Sequence, residues 1–265
     1  AVSVGGSAST ELSVANAVLV NGIPNYDHKG GYTIKDSASK VSNSTVAILG
    51  DANSVTVSNV ATAATGALIN ALDKGESTTN ITFSVKDTAT NLASNAANLD
   101  VANAVTVGDS ASTDLSVAQA GLLNGIPNYD HKGGYDIVDT ADAVSKSSVA
   151  ILGDSDAVSL SNIATAAQGA LINGFDKGES TTNITFTAND TAANLAANAA
   201  NLDVANAVSV GGSASTELSV ANAVLVNGIP NYDHQGGYTI KDSASKVANS
   251  TVAILGDANS VTVSN

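Results

Sequence analysis

The chain alternates short apolar–polar–apolar triplets with longer alanine-rich stretches. One set of triplets is led by an aromatic residue and followed by Asp and a small residue: YTIKDSA at Tyr32, FSVKDTA at Phe83, YDIVDTA at Tyr135, FTANDTA at Phe186 and YTIKDSA at Tyr238. A second set falls between them, with VSV at Val2, VTV at Val55 and Val105, VSL at Val158, VSV at Val208 and VTV at Val261. Alternation with period two over so few residues predicts brief strands. The intervening text follows a helical period instead. From Asn59 to Leu72 the sequence NVATAATGALINAL spaces Val60, Ala63, Ala64, Ala67, Leu68 and Leu72 for one face of a helix. Leu92, Ala96 and Leu99 are spaced likewise in the stretch from Thr88 to Ala104. The stretch from Ser37 to Leu49 is a weaker helix because it is rich in β-branched residues. Asp36, Asp87, Asp139, Asp190 and Asp242 each follow a strand, where a side-chain oxygen caps a helix N-terminus. Ser13, Ser58, Ser116, Ser161 and Ser219 hold the comparable place after the other segments.

The pattern is periodic on two scales. Aromatic-led triplets recur about every 51 or 52 residues, and the whole text recurs about every 103. Ala1 to Asn59 returns as Ala207 to Asn265, changed only at Lys29, which becomes Gln235, and Ser42, which becomes Ala248. The expected organisation is repeat 1 over 1–103, repeat 2 over 104–206 and a partial repeat 3 over 207–265, each full repeat holding about four coils. With no cap of different composition at either end, the chain reads as a window on a longer array.

Strand, crossover and strand in one direction is the recipe for parallel pairing. The predicted fold class is therefore α/β: a repetitive parallel solenoid of short strands joined by alanine-rich, partly helical crossovers. An all-β solenoid and tandem immunoglobulin-like domains, which the 103-residue period would suit, are the alternatives. Stacked strands lie about 4.8 Å apart, whereas packed helices need about 8–10 Å. A straight rod is accordingly easiest if only alternate crossovers are fully helical. About eleven triplets at that strand spacing give a rod about 50 Å long.

Composition moves the picture outside the cell. Cys, Met, Trp and Arg are absent, all ten basic residues are Lys, and the net charge is −14. Without Cys there is neither a disulfide framework nor a thiolate metal site. The acidic balance argues against nucleic acid or an anionic membrane as partner, and no apolar run approaches the roughly 18 residues of a membrane span. A hydrophobic content of 43% in a regular pattern argues against disorder.

Three groups of residues are candidates for function. The middle residues of the triplets, Ser3, Thr33, Thr56, Ser84, Thr106, Asp136, Ser159, Thr187, Ser209, Thr239 and Thr262, should face away from the helices as a ladder on an open sheet face. Such a face suits lateral association of rods or contact with a glycan. The loop GIPNYDHKGGY at Gly22 recurs at Gly125 and, with Gln for Lys, at Gly228, and its three copies hold every Pro and every His of the chain. Its Tyr26, Asp27 and His28, with Tyr129, Asp130, His131, Tyr232, Asp233 and His234, are the residues placed for a contact with a partner or neighbouring subunit. The Asp-rich turns at Asp51, Asp154, Asp156 and Asp257, and those at Asp73 with Glu76 and Asp176 with Glu179, could lend oxygens to calcium, but no specific calcium motif is present. No other metal site, no cofactor and no catalytic constellation is expected, because every candidate recurs with the repeat.

DSASKV, DTATNL, DTADAV, DTAANL and the second DSASKV, alternating with V-x-V and alanine-rich text, resemble the giant repetitive surface proteins of bacteria, β-strand-repeat and adhesin-like, many of them cargo of type I secretion. The resemblance covers the whole chain. It implies a non-enzymatic, secreted, extracellular or cell-surface protein forming a rod, filament, sheath or surface layer. Its expected partner is itself, as a homopolymer or lateral bundle. The alternative it leaves open is an adhesin stalk or ligand-binding module that meets a glycan or cell surface.

Overall fold

A computed structural model describes residues 2–5, 10–28, 31–75, 81–108, 113–178, 183–211 and 216–264. They fall into two compact units, Ala1–Thr113 with Ala118–Gly134, and Asp114–Val117 with Tyr135–Asn265. The elements run β1 (Thr10–Leu12), α1 (Val14–Asn21), β2 (Tyr32–Asp36), α2 (Ala38–Ser42), α3 (Val46–Gly50), β3 (Val55–Val57), α4 (Ala63–Gly75), β4 (Ile81–Thr82), β5 (Ser84–Asp87), α5 (Ala89–Asn95), β6 (Ala104–Val107), β7 (Asp114–Leu115) and α6 (Val117–Asn124). They continue as β8 (Asp136–Asp139), α7 (Ala141–Ser145), α8 (Val149–Leu152), β9 (Ala157–Leu160), α9 (Ala166–Gly178), β10 (Asn183–Thr185), β11 (Thr187–Asp190), α10 (Ala192–Asn198), β12 (Ala207–Val210), β13 (Thr216–Leu218), α11 (Val220–Asn227), β14 (Tyr238–Ser243), α12 (Ala244–Ala248), α13 (Val252–Gly256) and β15 (Ser260–Ser264).

Every strand pairing among the described residues is parallel. In the first unit β1, β2, β3 and β4 form one sheet whose register aligns Leu12, Ile34, Val55 and Ile81 in a single row. A second row, Ala61, Val85, Val105 and Tyr129, is built from β5, β6 and two isolated bridges. The second unit repeats both rows, as Leu115–Ile137–Val158–Ile184 and Ala164–Ala188–Val208–Tyr232, and adds Leu218–Ile240–Val261 on β13, β14 and β15. Apolar side chains stack on themselves along each row, and Ile34, Val55, Ile81, Ile137, Val158 and Ile184 are nearly or fully buried. That burial, near 25 cal/mol per Å² of apolar surface, is the main force holding coil to coil. Where one sheet gives way to the next, Phe83 separates β4 from β5. Its N–H donates to the Asn103 side chain at 2.9 Å while the Asn103 N–H donates back to the Phe83 carbonyl at 2.9 Å. Phe186 and Asn206 repeat the arrangement at the same distances.

A mixed α/β fold with thirteen helices among the described residues and only parallel ladders excludes the all-β and immunoglobulin-like alternatives. Helix occurs in every crossover, as one long helix in α4 and α9 and as a broken pair in α2–α3 and α7–α8. The inward face of α4 differs from the one its leucines suggest. Ala63, Gly66, Ile69 and Asn70 are buried, whereas Val60 and Leu68 are each 56% exposed. Closeness of helix to strand decides this: a Cβ at Gly66 would lie 2.7 Å from Val85 and 3.1 Å from Leu99. Only the face with the small residue can sit that near the sheet.

Candidate functional site

The tyrosine of each NYDH loop is a single-residue strand rather than an open contact. In the first copy Val2 donates to the Asn25 carbonyl at 3.0 Å, and the Asp27 N–H donates to the Val2 carbonyl at 3.0 Å. The same two bonds hold Tyr129 against Val105 and Tyr232 against Val208. Turning the chain that tightly needs left-handed backbone on either side of the tyrosine. Asn25, Asn128 and Asn231, with His28, His131 and His234, all have φ between 48° and 63°, a region that Asn and His enter more readily than most residues. Tyr26, Tyr129 and Tyr232 are consequently buried, and each packs edge-on against the histidine two positions later with ring centroids 4.8–4.9 Å apart.

The loop is also tied to the turn that follows α3. His28 Nδ1 lies 2.6 Å from Asp51 Oδ2, and His234 Nδ1 lies 3.9 Å from Asp257. The phenol of the strand-leading tyrosine completes the cluster. Tyr135 donates to Asp154 at 3.2 Å, Tyr238 donates to Asp257 at 3.0 Å, and Tyr32 accepts from Asn21 at 3.1 Å. Burial pushes the Tyr32 and Tyr238 phenols up to about 12, and burial reinforced by neighbouring Asp carboxylates raises Tyr26 and Tyr232. Phenols so raised stay protonated near neutrality and serve as hydrogen-bonding groups, not nucleophiles. Asp27, Asp130 and Asp233 remain at least partly exposed beside them.

The Asp at each strand end does more than cap its own helix, and it sits one residue too early for that. The cap is the following residue, and Thr88, Thr140 and Thr191 accept from backbone N–H groups of their own helices in that role. The Asp carboxylate instead joins two coils. Oδ2 of Asp36, Asp87, Asp139, Asp190 and Asp242 accepts from Val14, Ala63, Val117, Ala166 and Val220, each at the start of the preceding coil's helix, at 2.9–3.1 Å. Oδ1 of each accepts from its own next residue at 2.7–2.8 Å. Ser13 and Ser219 cap α1 and α11 as expected, but Ser58 and Ser161 lie before the bridge residues, and Thr62 and Thr165 accept at the start of α4 and α9.

These bonds predict acid sensitivity. Burial alone would raise Asp87, but the Asn91 side chain and the N–H groups of Ala63 and Thr88 outweigh it and hold the carboxyl below its usual range. The Ser243 N–H does this first for Asp242, and hydrogen bonds from Lys74 and Lys177 do it for Asp100 and Asp203. A carboxyl depressed in the folded state contributes stability above its unfolded value of about 3.9, lost as pH falls through the folded value. The urea midpoint should be level from pH 7 to about pH 5 and drop below about pH 4. A midpoint that rises on acidification to pH 3 would contradict the bonding.

The expected hydroxyl ladder is broken by register. Aromatic-led strands pair with V-x-V strands two residues out of phase, so Thr56 lies beside Lys35, Thr106 beside Lys86 and Thr262 beside Lys241, while Thr33 lies beside Glu11 of β1. Ser84 lies beside Ala104, Thr187 beside Ala207, Asp136 beside Asp114, Ser209 beside Asn189 and Thr239 between Glu217 and Ser260. Ser3 lies outside the named strands. Hydroxyls adjoin at Thr56 with Thr82, at Thr239 with Ser260 and at Ser159 with Thr185, the last pair 3.3 Å apart. Ser159, Ser161, Asn162, Ile163, Thr185 and Thr187 line a cleft of about 380 Å³ there.

Carboxylates considered for calcium have other partners in the fold. Asp73 and Asp176 accept from Ile81 and Ile184 at 2.8 and 3.0 Å, while Glu76 and Glu179 lie outside the described residues. Among the described residues no group of three or more His, Asp or Glu side chains converges for a metal, and no helix is long and apolar enough to cross a membrane. No protein-family model matches the chain, and no curated protein matches it at a significant level. Sequence reasoning missed Asn103 and Asn206, marked in the chain by a fixed position before the second-row strand, and likewise Asn59 and Asn162, which accept from Ala38 and Ala141.

Proposed function

We propose that this is a non-enzymatic extracellular structural protein whose coils stack into a solenoid rod, polymerised or bundled as a filament, sheath or surface layer. The observation that carries the reading is the fivefold recurrence of an Asp carboxylate bonded to the preceding coil's helix start. Polar residues repeated at the period of the chain act as joints between coils, which is what an array requires and a single reaction centre does not. A second reading, a stalk that meets a glycan, is favoured by the uncharged cleft at Ser159 and Thr185, where Ser, Thr and Asn side chains lie beside Leu160, Ile163 and Phe186. Immunogold electron microscopy of the producing cells tests the proposal. Label on surface filaments or a surface layer is expected, and label confined to the cell interior would overturn it.

A further inference from the structure

Where β10 gives way to β11 in the second unit, the cleft at Ser159 and Thr185 selects by chemistry as well as by shape. None of its lining residues is charged, in a chain that carries −14. A cationic ligand would meet no carboxylate among them and an anionic one no lysine, and the field of the whole chain repels anions. The cleft offers hydrogen bonds of both senses instead. Ser159 Oγ and Thr185 Oγ1 lie 3.3 Å apart, and either can donate or accept.

Two amides add donors of fixed sense. Asn162 Oδ1 accepts from the Ala141 N–H at 2.7 Å, and Asn206 Oδ1 accepts from the Phe186 N–H at 2.9 Å. A backbone N–H can be met only by the amide oxygen, so each NH2 group is left for a ligand. Ile163, 59% exposed, supplies aliphatic surface beside these polar groups. Donors and acceptors next to an aliphatic face match a sugar ring, whose hydroxyls do both and whose C–H face is apolar. At about 380 Å³ the cleft is at the small end of ligand sites, roughly 300–1,000 Å³, and suits a single ring. The first unit carries the same set. Thr56 adjoins Thr82, Asn59 accepts from Ala38 at 2.8 Å, Asn103 accepts from Phe83 at 2.9 Å, and Val60 is 56% exposed.

We propose that this cleft binds one neutral pyranose unit of a glycan, its hydroxyls held by Ser159, Thr185, Asn162 and Asn206 and its C–H face against Ile163. Its copy in the first unit binds a second. This rests on the glycan-contact reading above and narrows it to an uncharged ring at a particular place.

Nuclear magnetic resonance titration of the whole chain tests it, with the methyl glycosides of glucose, galactose and mannose as probes and methyl glucuronide as the charged comparison. At least one neutral glycoside should give saturable amide shifts at millimolar concentration, centred on Ile163, Thr185 and Asn206 and on Val60, Thr82 and Asn103. The glucuronide should bind several-fold more weakly at low salt, the gap narrowing as added salt screens the chain. The double variant Thr82→Val, Thr185→Val keeps side-chain size and strand propensity, and should bind at least fivefold more weakly. If it loses its circular dichroism spectrum, Thr56→Ala with Ser159→Ala gives the same comparison. Thr33→Val, outside the cleft, should bind like the parent. A folded cleft variant that binds unchanged would overturn the proposal. Saturation by the glucuronide alone, or neutral binding whose shifts fall on the NYDH loops, would overturn it while leaving the glycan reading standing. No binding of any of the four sugars would remove both.

Discussion

Gly66→Leu is expected to lower the stability of the chain by about 3 kcal/mol, the upper range for forcing volume into a packed core. The reason is geometric. Gly66 sits on the buried face of α4, and a Cβ there would already meet Val85 at 2.7 Å and Leu99 at 3.1 Å. Both neighbours are buried, so a leucine must push α4 off the sheet. Gly169 repeats the position in α9, with Leu202 at 2.8 Å and Phe186 at 3.1 Å, and Gly169→Leu should behave alike. Gly174 supplies the contrast within the same helix, because nothing lies within 4 Å of its added Cβ and the first repeat carries Ala71 there. Gly174→Ala should raise stability by about 0.5–1 kcal/mol through helix propensity and a less disordered unfolded chain. Urea unfolding followed by circular dichroism reads all three. Equal effects at Gly66 and Gly174 would mean that α4 and α9 do not pack through their small-residue faces.

Asp87→Ala is expected to cost about 1–3 kcal/mol, the penalty for leaving hydrogen-bonding groups without partners. Three donors converge on this carboxylate: the N–H of Ala63 at 2.9 Å, the N–H of Thr88 at 2.8 Å and the side-chain amide of Asn91 at 2.8 Å. The Ala63 bond crosses between coils and opens α4, so its loss should expose the first turn of that helix to hydrogen exchange. Asp87→Asn keeps one carbonyl oxygen and should lose less. The equivalent change at Asp190, which accepts from Ala166, Thr191 and Asn194 at 2.7–3.0 Å, should match it. Exchange that speeds up only in α5, the helix following Asp87, would show that the carboxylate serves its own coil alone.

Much of this arrangement was legible in the chain because its strands carry strong local signals. Tyr32–Asp36, Val55–Val57 and their copies announce themselves by β-branched and aromatic alternation, and strand–helix–strand order implies parallel pairing. What stayed hidden depends on neighbours. Thr10–Leu12 and Thr216–Leu218 are strands by virtue of pairing with β2 and β14, since Thr-Glu-Leu lacks the β-branched or aromatic alternation that marks the other strands. Tyr26 is buried because Val2 pairs with it, although its loop reads as an exposed excursion rich in Pro and Gly. The inner face of α4 was misjudged because hydrophobicity favours Leu68, whereas the space above the sheet admits Gly66. The supposed hydroxyl ladder failed on a two-residue offset between strand types, which no single strand encodes. The strand-end Asp residues were found at their positions, but that their second oxygen reaches another coil is a property of stacking.

Stacking is thus the central claim, and small-angle X-ray scattering of chains lengthened by whole 103-residue repeats tests it most directly. A rod of stacked coils keeps a constant cross-section while its maximum dimension grows in equal steps. Four coils per repeat at a strand spacing near 4.8 Å give a step of about 19 Å. A cross-section that widens with each added repeat, with a radius of gyration following the weak power law of compact domains, would contradict it.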